Sequence, residues 1–477
     1  MRSTKNTIQL LTLCLSIIAI LTAGTLHAQA ISRIDENGQL LVYEQDFLPF
    51  GFYCEAIDFA ENPNLAQQVA SGGFNYIYAE SYMKPPDQWE AYLSQYVDFL
   101  NDCETHDVKV VNGLLWYWGN GEIFTTYVNA LKDSPALICW NLMDDANGQG
   151  IEIVAQQKEE IIALDSSRVT SISFYSNEPD AAYMIPLTEL AYMQSYPWQL
   201  DGDRFDLSHT DFLFRNHVLA CHNENVVPIA TPQTYNWDNE TYPSAAHVDC
   251  QTYLAFVTGM KGVLYYTFKD YDNNSTIDVT QPAVFEAAAN VANEILQSEW
   301  KDVILNGEHQ YYNINQFRYY ATWRYNDAVY LIAVNASVDD TYFYEMPVPE
   351  DVTGEAINFF YYRPDNLSIQ NGILTGELAP YQVAVYKMET TTGIHNYDAR
   401  TNVRAFPNPV ENSFHLSGIS APCQVDIFNV QGSLVTTRQI SNQAEEIDIS
   451  GLKSGVYFVK VISDDIYQIN SLKIIKR

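Results

Sequence analysis

Between residues 51 and 298, short apolar runs alternate with segments whose apolar residues recur at helical spacing. The runs are almost continuously apolar, which is typical of parallel strands that are buried on both faces. Eight strands are predicted, at residues 51–59, 73–81, 108–121, 136–145, 169–176, 190–198, 226–237 and 261–270. Helices are predicted at residues 65–72, 85–103, 151–168, 209–225, 244–260 and 281–298. Eight such units over roughly 250 residues predict an α/β fold of the (β/α)8, or TIM, barrel type.

The pattern changes after residue 299. Residues 317–337 and 379–389 alternate apolar and polar positions, without helical spacing. This alternation predicts an all-β sandwich over residues 300–389, followed by a polar linker at 390–401. Short alternating strands with glycine turns then predict a small, immunoglobulin-like β-sandwich over residues 402–477.

The first 30 residues are predicted to form a secretory signal peptide. Arg2 and Lys5 precede the apolar stretch LLTLCLSIIAILTAG, and an Ala-Gln-Ala cleavage pattern follows at 28–30. A membrane anchor is the alternative, but the run is short for a bilayer span and ends in a cleavage pattern. No later stretch is long and apolar enough to cross a bilayer. We therefore expect an exported mature chain with no transmembrane span, whose barrel domain covers residues 31–299.

The charge of the chain is unevenly distributed. Its formal net charge is −34, the signal peptide carries +2, and eight acidic and eight basic residues balance between 394 and 477, so residues 31–393 carry −36. Such a surface repels phosphate backbones, which proteins bind through lysine and arginine. Nucleic acid is therefore not expected as a partner.

Residues 31–393 carry no sequence signature of a cofactor or metal site. They contain no glycine-rich phosphate loop, no HExxH and no GxSxG. The six cysteines beyond the signal peptide are scattered without zinc spacing, and they are expected to be free buried thiols or, in an exported protein, disulfides. The acidic loop at 269–278 lacks the central glycine and the terminal glutamate of an EF-hand. We therefore predict no cofactor and no metal.

Four motifs follow one another in the last segment. They are Pro-Asn-Pro at 407–409, an Asn-x-x-Gly turn ending at Gly432, IDISGLKSGVY at 447–457 and the terminal LKIIKR. In this order they resemble the C-terminal sorting domain of the type IX secretion system. The resemblance implies that type IX secretion machinery is a partner, and that the chain is released from a Gram-negative bacterium or attached to its cell surface. A plain adhesive sandwich is the alternative.

Two barrel segments resemble secreted TIM-barrel glycoside hydrolases and their relatives. SPALICWNLMDD, residues 134–145, is similar to their fourth strand, which ends in an Asp-Glu pair. PSAAHVDCQTYLAFVTGMKGVLYYTF, residues 243–268, is similar to a helix and the eighth strand that follows it. The resemblance implies a carbohydrate substrate and hydrolysis by two carboxyl groups, one of which protonates the leaving oxygen.

Asp145 stands where those hydrolases have the glutamate acid, so the resemblance makes Asp145 the predicted catalytic acid. Adjacent residues on a strand point to opposite sides, so we expect only one of the two aspartates to face the substrate. Asp144 is then a structural or hydroxyl-binding partner. The alternative is that the pair caps the helix beginning near Gly150 or anchors the loop.

The second carboxylate is harder to place. Related barrel hydrolases commonly carry a nucleophilic glutamate at the end of the seventh strand, where this chain has Gln233, whose amide can bind a hydroxyl group but cannot attack as a carboxylate. Glu80 is predicted to fill the role because it ends a buried strand where a barrel exposes its active face. A salt-bridged structural acid is the alternative for Glu80. The other candidates are Glu55, Asp58, Asp238 and Asp270.

Aromatic residues gather at the predicted strand ends, where flat rings can stack on sugars. The predicted substrate-binding residues are Asp144, Trp116, Trp118, Tyr196, Gln233 and Trp237. Packing in the core is the alternative for these rings.

The predicted function is that of an exported glycoside hydrolase acting on poly- or oligosaccharides. One alternative is a barrel that has lost hydrolysis and binds glycans at the cell surface, which the aspartate at 145 and the glutamine at 233 favour. A surface scaffold or adhesin with buried aromatic residues is the other.

Overall fold

The computed structural model describes residues 30–54, 62–80, 84–85, 87–114, 121–175, 182–197, 207–236, 241–352, 355–360, 362–363, 365–390, 404–406, 408, 410–417, 422–429, 434–441, 445–463 and 469–477. The chain separates into two units, Met1–Thr391 and Thr392–Arg477.

A small antiparallel sheet precedes the barrel and covers one of its ends. It consists of β1 (Ser32–Ile34), β2 (Leu40–Val42) and β3 (Gln45–Asp46). Its Leu40 and Val42 pack in one apolar cluster with Ile138 and Val169, which lie at the starts of two barrel strands. This end is therefore filled by packing, and chemistry is expected at the opposite end, where the strands have their carboxyl termini.

Eight parallel strands close into a barrel. They are β4 (Phe50–Cys54), β5 (Tyr76–Ala79), β6 (Lys109–Gly113), β7 (Leu137–Ala146), β8 (Val169–Phe174), β9 (Leu190–Ser195), β10 (Val227–Pro232) and β11 (Val263–Tyr265). Each pairs with the next, and β11 pairs with β4. Every strand overlaps a predicted one, and the predicted (β/α)8 fold is confirmed.

Helices pack around the outside of the barrel. They are α1 (Leu65–Ser71), α2 (Trp89–Thr105), α3 (Gly121–Leu131), α4 (Ile151–Leu164), α5 (Ser208–Glu224), α6 (Ala245–Thr258), α7 (Ile277–Thr280), α8 (Pro282–Leu296) and α9 (Trp300–Asn306), with a 3-10 turn at Ile185–Leu187. Helix α3 is not among the helices predicted from the sequence. Its buried residues Phe124, Tyr127, Val128 and Leu131 do follow helical spacing, but the predicted third strand was extended to residue 121 and obscured the start of the helix.

Tyrosine rings fill much of the barrel interior. Tyr53 and Tyr78 stack with ring centroids 3.9 Å apart, and the hydroxyl oxygens of Tyr76 and Tyr192 lie 2.8 Å apart. Asn141 Nδ2 donates a hydrogen bond to the Tyr78 hydroxyl at 2.8 Å. Close packing and paired polar groups give a rigid layer beneath the carboxyl ends of the strands.

A hairpin and two antiparallel sheets follow the barrel. The hairpin is β12 (Lys269–Asp270) with β13 (Ser275–Thr276). The larger sheet contains β14 (Glu308–Asn315), β15 (Arg318–Tyr325), β16 (Ala328–Asn335), β21 (Val383–Glu389) and β18 (Ile357–Asn358), in that order. The smaller contains β17 (Tyr342–Pro347), β20 (Ile373–Leu378) and β19 (Leu367–Gln370).

The two sheets form the predicted β-sandwich. The core between them includes Tyr320, Leu331, Tyr344, Leu374 and Met388. On its other face the larger sheet packs against the barrel, where Trp323 and Tyr330 lie edge-on to Trp300 of α9 with ring centroids 5.4 and 5.3 Å apart. The sandwich and the barrel thus share a hydrophobic core.

The C-terminal unit consists of two antiparallel sheets. One contains β22 (Arg404–Phe406), β23 (Ser413–Ser417) and β26 (Glu446–Asp448), and the other contains β25 (Leu434–Ile440), β24 (Cys423–Phe428), β27 (Gly455–Ser463) and β28 (Ile469–Lys476). Their core includes Val410, Phe414, Val425, Ile447 and Val459.

Several of the motif residues in this unit hold turns and strands in place. Asn408 Oδ1 accepts a hydrogen bond from the backbone N–H of Ile475 at 2.9 Å, which ties Asn408 to the last strand. Asp448 Oδ1 accepts from the backbone N–H of Ser450 at 2.8 Å. The Tyr457 hydroxyl donates to the Lys453 carbonyl at 2.9 Å. These motif residues therefore contribute to the local structure of the unit.

Two further features hold for the described part of the chain. Its six cysteines, Cys54, Cys103, Cys139, Cys221, Cys250 and Cys423, are buried and free. None of its helices combines the length and the apolar character that a membrane crossing requires.

A buried ion-pair cluster joins the sandwich to the barrel. Arg363 follows β18 and donates two hydrogen bonds to Glu294 of α8, at 2.9 and 2.6 Å. It also donates two to Asp249 of α6, at 3.1 and 2.7 Å, and lies over the ring of Tyr253. The Glu294 side chain is only 3% exposed, so it depends on Arg363 to balance its charge.

Replacing Arg363 tests how much this ion-pair cluster contributes to stability. Arg363→Ala leaves the buried carboxylate of Glu294 without its cation, so we expect the free energy of unfolding to fall by roughly 3–5 kcal/mol. Denaturant unfolding followed by tryptophan fluorescence measures it. The control is Arg33→Ala, which removes an exposed pair with Glu44 and should leave the midpoint unchanged. Equal midpoints for the two variants would contradict a stabilising role.

Candidate active site

Asp144 and Asp145 lie together at the carboxyl end of β7. Gln194 Nε2, on β9, donates to Asp145 Oδ1 at 2.8 Å and reaches Asp144 Oδ1 at 3.4 Å. Strict strand alternation would place the two carboxylates on opposite sides, but β7 is irregular there. Its register with β8 shifts between Asn141 and Met143 and again before Ala146, and Asp145 has a φ of 50°. The expectation that only one aspartate faces the barrel mouth is therefore not met.

Neither aspartate caps the helix that follows. The N-cap of α4 is Gly150, and no side chain caps this helix end. The loop is instead organised by Asn147, whose Oδ1 accepts from the backbone N–H of Gln149 at 3.1 Å. The alternative in which the aspartates serve as a helix cap is thereby contradicted.

Asp144 occupies an unusual electrostatic position. Burial raises its pKa to about 7, and the negative charge of the adjacent Asp145 adds to this effect, with a smaller contribution from Glu80. The hydroxyl groups of Tyr53 and Ser173 act in the opposite direction because they stabilise the charged form. Near pH 7 about half of the Asp144 carboxyl groups are therefore protonated, and these can donate a proton.

Glu80 follows β5 directly and is 7% exposed. It continues the inward-facing set of Tyr76 and Tyr78, because every second residue of a strand shares a face. Between Glu80 and Asp144 runs β6, whose last residue is Gly113. A Cβ atom there would lie 3.0 Å from the Tyr78 hydroxyl and 3.5 Å from Glu80 Cα and Cγ, so the glycine leaves room for the glutamate.

Aromatic rings form the side of the barrel mouth made by β9, β10, β11 and β4. The rings of Tyr196 and Tyr266 are 5.2 Å apart, and those of Tyr53 and Tyr266 are 5.6 Å apart. Tyr235 packs at 6.4 Å from Tyr266. Tyr196, predicted to bind substrate, is thus largely covered by its neighbours, although it does lie at the end of its strand.

Gln233 lies at the end of β10 and is fully buried. Its Nε2 donates to the backbone carbonyl of Tyr235 at 2.7 Å, and its backbone N–H donates to Gln251 Oε1 at 3.2 Å. The predicted hydroxyl-binding amide is therefore engaged in holding the loop that carries Tyr235.

Six of the residues predicted from the sequence are not among those that the structure describes. Trp116, Trp118 and Trp237 lie outside the described residues, as do the alternative carboxylates Glu55, Asp58 and Asp238. Asp270 is described and fully buried. It accepts hydrogen bonds from the Tyr242 hydroxyl and from Asn273 Nδ2, both at 2.8 Å, and so organises the β12–β13 hairpin.

Sequence reasoning missed Gln194 and Ser173, which contact the aspartates. Gln194 Nε2 donates to Ser173 Oγ at 3.0 Å as well as to Asp145. Their inward orientation follows from the alternation in VTSISF and LAYMQS, but only the packing of β7 beside β8 and β9 shows what they contact. Among the described residues, no cluster of three or more His, Cys, Asp or Glu side chains is arranged to hold a metal ion.

Comparisons with known proteins agree with this architecture. Residues 404–477 match the family described as Secretion system C-terminal sorting domain, which confirms the resemblance of that segment and marks the protein as secreted or cell-surface. The chain is similar in fold to a solved structure described as a glycoside hydrolase, with a TM-score of 0.52 and 13% identity over 76% of this chain and 98% of that one. No curated protein matches the chain.

A second solved structure is similar in the same way. It is a glycoside hydrolase family 5 protein from Bacteroides vulgatus, with a TM-score of 0.51 and 12% identity over 76% of this chain and 94% of that one. At such identity the likeness concerns the fold, which is a TIM barrel.

The raised pKa of Asp144 predicts a pH-dependent effect on stability. An unfolded aspartate ionises near pH 3.8, whereas folded Asp144 ionises near 7, so the native state loses stability as pH rises between these values. Asp144→Asn removes this loss. The free energy of unfolding of this variant, minus that of the native chain, should increase by roughly 1–3 kcal/mol from pH 4 to pH 8.

Thermal unfolding across this pH range measures the difference. Glu345→Gln, an exposed position on β17, is the control and should differ from the native chain equally at every pH. A constant difference for Asp144→Asn would show that Asp144 ionises at its ordinary pKa.

Proposed function

We propose that the protein is an exported glycoside hydrolase in which Asp144 is the catalytic acid and Glu80 is the second carboxylate. The observation that carries the proposal is a partly buried carboxyl group with a pKa near 7, close to a second carboxylate at the carboxyl ends of the barrel strands. Glycosidic hydrolysis requires this pair, one group protonated and one charged.

The chemistry divides between the two groups. About half of the Asp144 carboxyl groups are protonated near neutral pH, and this form delivers its proton to the leaving glycosidic oxygen. Glu80, as a carboxylate, attacks the sugar carbon or activates the water that does so. The stacked rings of Tyr53 and Tyr78 lie in the barrel interior beneath these groups.

The proposed roles of the two aspartates are the reverse of those predicted from the sequence, which made Asp145 the acid and Asp144 its structural or hydroxyl-binding partner. Asp145 is exposed and accepts a hydrogen bond from Gln194, whereas Asp144 is the partly buried group near Glu80. In this proposal Asp145 acts through Asp144, because its negative charge adds to the effect of burial in raising the pKa of Asp144. Gln233 is a positioning residue, since its amide holds the loop at Tyr235.

The remaining segments serve export and support. We propose domain boundaries at 1–30 for the signal peptide, 31–299 for the barrel, 300–389 for the sandwich, 390–401 for the linker and 402–477 for the sorting domain. Type IX secretion machinery of a Gram-negative bacterium recognises the last of these and delivers the barrel to the cell surface or the medium.

A second candidate function is glycan binding without hydrolysis. It is favoured by Gln233, because the amide stands where related barrel hydrolases commonly carry their nucleophile, and it is engaged with the Tyr235 carbonyl. In that case the barrel retains affinity for glycans but releases no sugar.

Sugar release by site variants tests the assignment. The mature full-length chain is incubated with a panel of poly- and oligosaccharides, and products are quantified. We expect Asp144→Asn and Glu80→Gln each to lower kcat/KM by roughly 10²–10⁴-fold, as loss of an acid or base does. If Asp145→Asn abolishes release while Asp144→Asn does not, the acid is Asp145. Binding of a glycan without release by the native chain would favour the second candidate.

The pH profile gives an independent test. Because Asp144 must hold a proton, the rate should fall as pH rises through about 7. Asp145→Asn removes the neighbouring negative charge, which lowers the pKa of Asp144 and should move this fall to lower pH. An alkaline limb that stays in place in Asp145→Asn would contradict electrostatic control of Asp144 by Asp145.

A further inference from the structure

Tyr175 is an exposed ring at the edge of the candidate site. It directly follows β8 and is 48% exposed, whereas Tyr196, Tyr235 and Tyr266, at neighbouring strand ends, are each less than 10% exposed. Among these four rings, Tyr175 therefore has the largest free face.

The position of Tyr175 follows from the period of its strand. Val169 and Ser171 face the barrel interior, and Ser173 contacts Asp144 and Gln194. Tyr175 is the first residue after the strand and stands two positions beyond Ser173. Because alternate residues of a strand share a face, we place it on the same side as Ser173, further toward the barrel mouth.

The ring is held at its hydroxyl group. Asn147 Nδ2 donates to the Tyr175 hydroxyl at 3.0 Å, and Asn147 is itself oriented by the hydrogen bond from Gln149 N–H to its Oδ1. Ala146 pairs with Phe174, so Asn147 and Tyr175 leave adjacent strands side by side. A ring fixed in this way loses little conformational freedom when a ligand stacks on it.

We propose that Tyr175 is a stacking platform for a sugar unit adjacent to the one whose bond Asp144 protonates. The inference rests on the proposed function and refines it, because a platform beside the reacting bond is useful only for a substrate of several units. The substrate class is thus an oligo- or polysaccharide chain, whose apolar C–H faces stack on aromatic rings.

Chain-length dependence of hydrolysis tests the platform. The probes are cello-, xylo-, manno- and malto-oligosaccharides of two to six units and the p-nitrophenyl glycosides of the same single sugars. In Tyr175→Ala, the ratio of kcat/KM for the cleaved oligosaccharide to that for its aryl glycoside should fall about tenfold. Tyr175→Phe retains the ring and should retain most of the ratio.

The matched control is Tyr43→Ala. Tyr43 is 40% exposed and donates from its hydroxyl to the Pro135 carbonyl, so it is a similarly held ring at the opposite end of the barrel. Its replacement should leave the ratio unchanged. The inference is overturned if Tyr175→Ala keeps the native ratio, or if Tyr43→Ala lowers it as much.

Calorimetric titration separates this inference from the proposed hydrolysis. If the native chain cleaves none of the probes but binds one of the oligosaccharides, weaker binding by Tyr175→Ala supports the platform although hydrolysis fails. Equal binding by both chains, or no binding by the native chain, overturns the platform.

Discussion

The site depends on the cost of charging Asp144, which is partly buried and has two other carboxyl groups nearby. Burial raises the pKa of Asp144 to about 7, and the negative charges of Asp145, its neighbour in sequence, and of Glu80, on the other side of β6, add to this effect. The hydroxyls of Tyr53 and Ser173 limit this effect because they stabilise the charged form of Asp144. Gln194 donates a hydrogen bond to Asp145, and Gly113 leaves space for Glu80. A carboxyl group with a raised pKa is what the proposed role of Asp144 as an acid requires.

The rest of the first unit supplies the rigidity that this electrostatic arrangement needs. Small displacements would change the interactions between charges, and the site rests on stacked tyrosines whose hydroxyl groups include the Tyr76–Tyr192 pair. The opposite end of the barrel is closed by the apolar side chains of Leu40 and Val42, which pack against residues of the barrel strands. The sandwich shares the hydrophobic core of the barrel and is joined to it by the Arg363 cluster, which makes it part of the same folded unit as the barrel.

Much of the fold follows from the sequence, whereas the division of roles in the site does not. Apolar runs and helical spacing predict the barrel strands because burial on both faces leaves a clear pattern, and Glu80 is correctly located at a strand end for the same reason. The roles of Asp144 and Asp145 could not be separated in this way. They depend on the irregular end of β7 and on the positive φ of Asp145, and neither leaves a periodic signal. The ends of the apolar runs likewise place Tyr196 and Gln233 at strand ends. Their burial, however, is decided by contacts between strands that are distant in sequence.

The protonation state of Asp144 decides whether this carboxyl group can serve as the proposed acid. Infrared difference spectra of the mature chain between acidic and alkaline pH, with Asp144→Asn as the reference, isolate the carboxyl band of this one residue. We expect the protonated band to disappear with a midpoint near pH 7. A midpoint near pH 4, the ordinary value for an aspartate, would contradict it, because Asp144 would then be a charged carboxylate at neutral pH and could not serve as the acid.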